Sequence, residues 1–261
     1  MIRLCLLLLL LLPAAGAWCD RKPFDPDSVT YANIRDYVYT NAHIVRRPVR
    51  GIYVNFHGAG YEGTRDEDSP SARAFAEAGV VEIFPYGTQN SWMKASVARQ
   101  VRRCIDVIRR EHHIPDTVPM AFGGCSMGGF AALTFGIFSG IRPVCIAANC
   151  PVTAPMDWVD FQHPGLEPGA LEGILLPLSV LKRLPKTDYL FLSGVNDPIP
   201  GLADNTARLA EGLRQRGLRA ELYEGPIGHC GATEEMTVAY TRFIFEHFGL
   251  DTPGNPYGCW Y

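Results

Sequence analysis

The sequence has no excess of charge of one sign, since 24 Lys and Arg face 27 Asp and Glu and the net charge is −3. No cluster of Lys and Arg is long enough to follow a phosphate backbone, which argues against nucleic-acid binding. Repeats, linkers and low-complexity segments are also missing, which excludes disordered, collagen-like and coiled-coil classes. The remaining composition, 47% hydrophobic over 261 residues, is that of a globular protein with one large α/β domain or two small ones.

One apolar run stands out, residues 4–12, and it lies close to the amino terminus. Arg3 precedes the run and small residues follow it, a pattern more typical of a secretory signal peptide than of a buried helix. Nine residues are too few for a membrane span, which needs about 20, and no other stretch is apolar enough to cross a bilayer. We therefore predict cleavage after Ala17, a signal peptide over 1–17, a single domain over 18–261, and a secreted or periplasmic protein.

Runs of β-forming residues alternate with segments of helical periodicity along the rest of the chain. Strands are predicted within 49–56, 80–84, 118–122, 143–148, 189–192 and 220–223, and helices within 69–78, 97–108, 130–138, 202–213 and 236–248. This alternation indicates a mainly parallel sheet with helices on both faces. Residues 24–48 are expected to add one or two antiparallel edge strands. The proline-rich stretch 151–187 is predicted to be a short lid-like insertion.

The most informative motif is Gly124-Cys125-Ser126-Met127-Gly128, which reads G-x-S-x-G between a predicted strand and a predicted helix. That context is the one in which a nucleophile elbow occurs. The glycines permit a sharp turn, which would expose the hydroxyl of Ser126 above the sheet. The backbone N–H of Met127 would then face the oxyanion of a tetrahedral intermediate. The alternative is an ordinary glycine-rich turn with a capping serine.

A catalytic serine needs a base, and the base needs an acid that orients it. In this type of fold the chain order is Ser, Asp or Glu, then His, and Asp197 and His229 each follow a predicted strand in that order. Competing acids are Asp157, Asp160 and Asp204, and competing histidines are His43, His112, His113, His163 and His247. Because catalytic groups of open α/β sheets lie in loops after strands, Asp197 and His229 are the preferred pair.

A second oxyanion donor is expected from Gly58 or Ala59, in the sequence His57-Gly58-Ala59-Gly60 after the first core strand. The stretch Gly58–Gly63 also matches G-x-G-x-x-G, the fingerprint of a dinucleotide-binding fold. That alternative needs an immediate helix and an acid after the second strand. A polar loop follows instead, and Glu82 lies inside the second strand, so the dinucleotide interpretation is rejected.

Two cysteines flank the proposed nucleophile and base, Cys125 directly before Ser126 and Cys230 directly after His229. If Ser126 and His229 are within hydrogen-bonding distance, their neighbours come close enough for a disulfide. In an oxidising compartment such a bond would close a loop of about 100 residues and stabilise the fold by about 4–5 kcal/mol at most. No partners are assigned to Cys19, Cys104, Cys145, Cys150 and Cys259.

Together, Cys125-Ser126, Asp197 and His229-Cys230 resemble the CS-D-HC motif of the tannase and feruloyl esterase family. The chain is also similar in size and plan to compact polyhydroxybutyrate depolymerase-like and type-C feruloyl esterases. The resemblance implies an α/β-hydrolase fold and hydrolysis of esters of plant phenolic acids. The chain departs from the tannase family at 151–187, which is far too short for that family's lid domain.

These observations predict a secreted serine carboxylic-ester hydrolase that forms an acyl-enzyme from feruloyl, acetyl or other small acyl esters. Its substrate would be a small molecule or an ester linked to a polysaccharide. We expect no cofactor and no metal, because HExxH is absent and the acidic run 66–68 lacks the glycine and distal Glu of a calcium loop. The alternatives are a serine peptidase of the prolyl-oligopeptidase kind, an acyltransferase with the same triad, and a non-catalytic binding module. The oligomeric state is left open.

Overall fold

A computed structural model describes residues 28–60, 70–87, 92–154, 172–199 and 201–252. Several sequence predictions fall outside these ranges: the signal peptide over 1–17, Cys19, Asp157, Asp160, His163 and Cys259. Of the proline-rich insertion, the ends 151–154 and 172–187 are described, and they contain turns and a short 3-10 helix at Leu181–Arg183.

Seven strands form one sheet in the described residues, and only the first is antiparallel to its neighbour. The strands are β1 Val38–Thr40, β2 Gly51–Phe56, β3 Val80–Pro85, β4 Met120–Cys125, β5 Cys145–Asn149, β6 Asp188–Gly194 and β7 Ala220–Gly225. The helices are α1 Pro70–Glu77, α2 Ala95–Glu111, α3 Met127–Ser139, α4 Leu202–Gln215 and α5 Glu234–His247. The sheet order is β1-β3-β2-β4-β5-β6-β7. The expected mainly parallel sheet and its antiparallel edge are confirmed.

Helices cover both faces of the sheet, and the side chains of each buried strand alternate between the two resulting cores. In β5, Ile146 and Ala148 belong to the core beneath α2, α3 and α4, whereas Cys145 and Ala147 belong to the core beneath α1 and α5. A parallel strand buried on both faces reads as a continuous apolar run, which explains why these strands were visible in the sequence. Within the described residues, no helix has the length and apolarity needed to cross a bilayer.

Strand β4 differs from its prediction at both ends. It begins at Met120, because the N–H of Val118 bonds the carbonyl of Pro115 in a turn, and it continues through two glycines to Cys125. Because glycine is unfavourable in strands, the sequence pattern predicted that this strand ends earlier, at residue 122. At Gly123 a Cβ would lie 2.2 Å from the Tyr53 hydroxyl and 2.4 Å from the hydroxyl of Tyr240, so only glycine fits.

Candidate active site

Ser126 is the single residue between β4 and α3, and its backbone is strained. Its φ of 54° and ψ of −117° lie in a region that residues other than glycine rarely occupy. The N–H of Ser126 donates to the carbonyl of Asn149 at 2.9 Å, and its own carbonyl accepts from the N–H of Phe130 at 3.0 Å. These bonds hold a sharp strand-to-helix turn of the kind that the G-x-S-x-G pattern predicts.

The glycines of this motif are required by the approach of strand β2. A Cβ at Gly124 would lie 2.4 Å from the carbonyl oxygen of Phe56, and one at Gly128 would lie 2.0 Å from the same atom. Gly124 also has a φ of 157°, in the region that favours glycine. The motif is therefore a steric requirement of the turn, whatever chemistry the serine performs.

Asp197 and His229 form a hydrogen-bonded pair. Nδ1 of His229 lies 2.8 Å from Oδ2 of Asp197, and Oδ1 of Asp197 accepts from the N–H of Ile199 at 2.9 Å. The Asp197 side chain is 2% exposed, whereas that of His229 is 25% exposed. Because a carboxylate only accepts, the hydrogen of a neutral His229 resides on Nδ1, which leaves Nε2 as a proton acceptor.

The competing residues lie elsewhere. Asp204 is exposed in the first turn of α4, and His43 and His113 are exposed as well. His112 contacts the hydroxyl of Tyr31 at 2.7 Å. Another His–carboxylate pair joins His247 to Asp188 at 3.1 Å. Asp188 is the first residue of β6 and therefore lies at the edge of the sheet opposite Asp197.

Parallel strands bring the predicted residues to one edge of the sheet. Ser126 follows β4, Asp197 follows β6 and His229 follows β7, so all three lie beyond the carboxyl ends of these strands. Gly58 follows β2 and lies against the same turn, because a Cβ there would be 3.3 Å from Sγ of Cys125. The loop with Gly58 and Ala59 is thus next to the serine turn, as a second oxyanion donor requires.

His57 anchors this loop, a role that the sequence reasoning did not assign to it. Its Nδ1 lies 2.8 Å from the carbonyl oxygen of Gly58, and its Nε2 lies 2.5 Å from that of Tyr86. Burial lowers the pKa of His57, while the two carbonyl contacts act in the opposite direction. The ring joins the end of β2 to the segment after β3.

The predicted disulfide partners are neighbours. The structure shows Cys125 and Cys230 as thiols, and a hydrogen bond between them is the main reason that the pKa of Cys230 is raised. The disulfide therefore stays a prediction. Cys104 and Cys145 are buried thiols elsewhere in the core, and burial raises the pKa of both, that of Cys104 to about 12.

A third cysteine, Cys150, lies beside the Asp–His pair and was missed by the sequence reasoning. Its Sγ, a carboxylate oxygen of Asp197 and a ring nitrogen of His229 lie within 4.8 Å of one another. Burial is the main reason that the pKa of Cys150 is raised to about 11. Thiol, carboxylate and imidazole could together hold a metal ion. In the structure, however, the carboxylate and the imidazole are already joined by their hydrogen bond.

A small apolar cavity of about 20 Å³ adjoins the serine turn. It has room for about one water-sized group. Its lining includes Phe56, His57, Met93, Val97, Met127 and Ala131. Met127 begins the helix after Ser126 and His57 anchors the neighbouring loop, so the cavity is lined from both segments that meet at the serine turn.

No protein-family model matches the chain, and no curated protein matches it. Solved structures do match. The fluorophosphonate-binding serine hydrolase FphF of Staphylococcus aureus is 15% identical with a TM-score of 0.60, over 78% of this chain and 85% of that one. The S-formylglutathione hydrolase FrmB of the same organism is 15% identical with a TM-score of 0.52, over 76% of this chain and 80% of that one.

A peptidase matches over a similar share of this chain but a smaller share of its own. The acylaminoacyl peptidase of Pyrococcus horikoshii is 13% identical with a TM-score of 0.61, over 80% of this chain and 38% of that one. Identities this low establish the fold alone. Taken with the sheet order and the strand-to-helix turn at Ser126, they show that the chain has the α/β-hydrolase fold.

Proposed function

We propose that the protein is a serine carboxylic-ester hydrolase. The observation that carries the proposal is the 2.8 Å hydrogen bond between Asp197 and His229 at the sheet edge where Ser126 occupies its strained turn. A binding module has no need of a buried carboxylate that orients an imidazole. The likeness to FphF and to the S-formylglutathione hydrolase gives further support.

In the proposed mechanism, Oγ of Ser126 attacks the ester carbonyl carbon while its proton moves to Nε2 of His229. Asp197 stabilises the imidazolium that forms. The carbonyl oxygen becomes an oxyanion, which accepts hydrogen bonds from the N–H of Met127 and a backbone N–H at Gly58 or Ala59. The tetrahedral intermediate then expels the alcohol, which takes the proton from His229. Water attacks the acyl-enzyme in the same way and releases the acid.

Labelling with a fluorophosphonate, followed by peptide mapping, tests the proposal. We expect covalent modification of Ser126 and turnover of nitrophenyl acyl esters. Absence of both would contradict the proposed chemistry and favour a binding module.

Faster cleavage of aminoacyl-arylamides than of esters would favour a peptidase, which the similarity to the acylaminoacyl peptidase makes the second candidate. Acyl transfer to an added alcohol in preference to water would favour an acyltransferase.

We further propose that the ester's acyl chain occupies the cavity beside Met127. The cavity is small and almost wholly apolar, so it suits a short acyl chain such as acetyl better than a long one. A misfit of one methylene costs about 1–3 kcal/mol, so kcat/KM for nitrophenyl acetate should exceed that for the hexanoate at least about tenfold. Shortening half-buried Val97 to alanine should reduce this preference, and Val144→Ala, at the opposite edge of the sheet, should not. Strict dependence on large galloyl esters would contradict the proposal.

We also propose that Cys125 and Cys230 form a disulfide in the exported protein. The close approach of the two side chains beside the serine turn supports this pairing. Non-reducing peptide mapping of secreted material should find the linked peptides, and a reductant should lower the free energy of unfolding by up to about 4–5 kcal/mol. The double variant Cys125→Ala/Cys230→Ala should lose this response to reductant, whereas Cys104→Ala, which removes a remote thiol, should retain it. Recovery of both cysteines as alkylated thiols would refute the bond.

A further inference from the structure

Two consecutive residues at the end of β5, Asn149 and Cys150, lie between the strands that carry the proposed nucleophile and acid. The carbonyl of Asn149 accepts from the N–H of Ser126 at 2.9 Å. On the other side, the N–H of Cys150 donates to the carbonyl of Leu192 in β6 at 2.8 Å. The backbone of this pair thus joins the serine turn to the strand that precedes Asp197.

The side chain of Asn149 binds the loop of the proposed base. Its Nδ2 donates to the carbonyls of Cys230 at 3.1 Å and Gly231 at 3.2 Å, the two residues that follow His229. Asn149 is 1% exposed, so water cannot replace these bonds. Its Oδ1 is buried and has no hydrogen-bond partner in the described residues, which leaves the two N–H bonds as the polar role of this amide.

Cys150 has a left-handed backbone conformation, with a φ of 43°. A non-glycine residue in this region costs about 1–3 kcal/mol and persists where its surroundings hold it. Its fully buried sulfur lies within 4.8 Å of both a carboxylate oxygen of Asp197 and a ring nitrogen of His229. The sulfur therefore fills the space beside both the proposed acid and the proposed base.

We propose that the side chains of Asn149 and Cys150 are positioning groups that hold His229 and Asp197 in register with Ser126, whose N–H is bound by the backbone carbonyl of Asn149. This proposal rests on the ester-hydrolase function proposed above. Displacement of a reacting group by about 1 Å can cost 10²-fold in rate, so loosening of this pair should lower kcat without removing any reacting atom.

Four substitutions separate a positioning role from a purely structural one. Asn149→Leu retains the size of the side chain but removes both donors, and we expect kcat for nitrophenyl acetate to fall about 10- to 100-fold with little change in KM. Cys150→Ala should lower kcat about tenfold. Cys150→Ser retains a hydrogen-bonding group and should stay within about threefold of the wild type. Cys145→Ala, which removes a buried thiol from the other face of the same strand, is the matched control and should leave kcat unchanged.

Each variant is also compared by thermal unfolding and by its rate of fluorophosphonate labelling. If Asn149→Leu does not fold, Asn149→Ser, which retains one donor, should still lower kcat about tenfold. Wild-type kcat in folded Asn149 and Cys150→Ala variants would overturn the proposal, as would equal losses in Cys150→Ser and Cys150→Ala. A wild-type protein that neither labels nor turns over esters would instead refute the hydrolase function.

Discussion

Replacing Ser126 with alanine is expected to lower kcat on a nitrophenyl ester by about 10⁴-fold or more. The proposed mechanism loses its nucleophile, and neither His229 nor the oxyanion donors can form the acyl-enzyme. The fold should persist, because the bonds that hold the turn come from the backbone of Ser126, at 2.9 Å to Asn149 and 3.0 Å from Phe130. Steady-state kinetics with a thermal unfolding curve for each variant measures both effects.

Ser193→Ala is the matched control for this variant. Ser193 is a buried serine in β6, near the same end of the sheet, whereas Ser126 is partly exposed, and the Oγ of Ser193 has no hydrogen-bond partner in the described residues. Removing that hydroxyl should leave kcat within about twofold of the wild type, since no reacting group depends on it. Near-normal turnover in Ser126→Ala would eliminate the proposed mechanism.

Asp197→Asn is expected to lower kcat by about 10³- to 10⁴-fold. The amide that replaces the carboxylate donates hydrogen bonds, so it favours the His229 tautomer with its hydrogen on Nε2. That tautomer cannot take the proton of Ser126. Because the Asp197 side chain is only 2% exposed, water cannot restore the lost acceptor. Kinetics at saturating ester, together with the rate of fluorophosphonate labelling, measures the loss.

The acid that competes in the sequence provides the control. Asp204 is exposed in the first turn of α4, where its charge contributes at most about 1 kcal/mol to stability. Asp204→Asn should therefore keep full activity. If Asp197→Asn retains turnover within tenfold of the wild type, Asp197 does not orient the base and the assignment of the acid is wrong.

Hydrophobic patterning was sufficient to predict the sheet and its helices, because the central strands are buried on both faces and α2, α4 and α5 present an apolar face to the core. The glycines of β4 were misjudged for a physical reason. A glycine normally weakens a strand, but Gly123 leaves space for the hydroxyls of Tyr53 and Tyr240. That requirement comes from residues far away in the chain, and no local pattern records it.

Ser126, Asp197 and His229 could be predicted from the sequence, because their order along the chain and their positions after predicted strands are recognisable. Asn149 and Cys150 carry no such signal. The partners of Asn149 Nδ2 are backbone carbonyls 81 and 82 positions away, which have no residue identity to recognise. The phenolic ester substrates implied by the family resemblance stay a prediction, and the preference for a short acyl chain proposed for the cavity beside Met127 argues against them.

The contact between β4 and α5 has a consequence for synthesis of the chain. The N–H of Gly124 donates to the hydroxyl of Tyr240 at 3.2 Å across 116 positions, and that hydroxyl also lies 2.9 Å from that of Tyr53. In a nascent polypeptide, these hydrogen bonds next to the Ser126 turn therefore cannot form until α5 has emerged from the ribosome. The ability of Ser126 to react with a fluorophosphonate should consequently appear late in translation, well after most of the sheet has been synthesised.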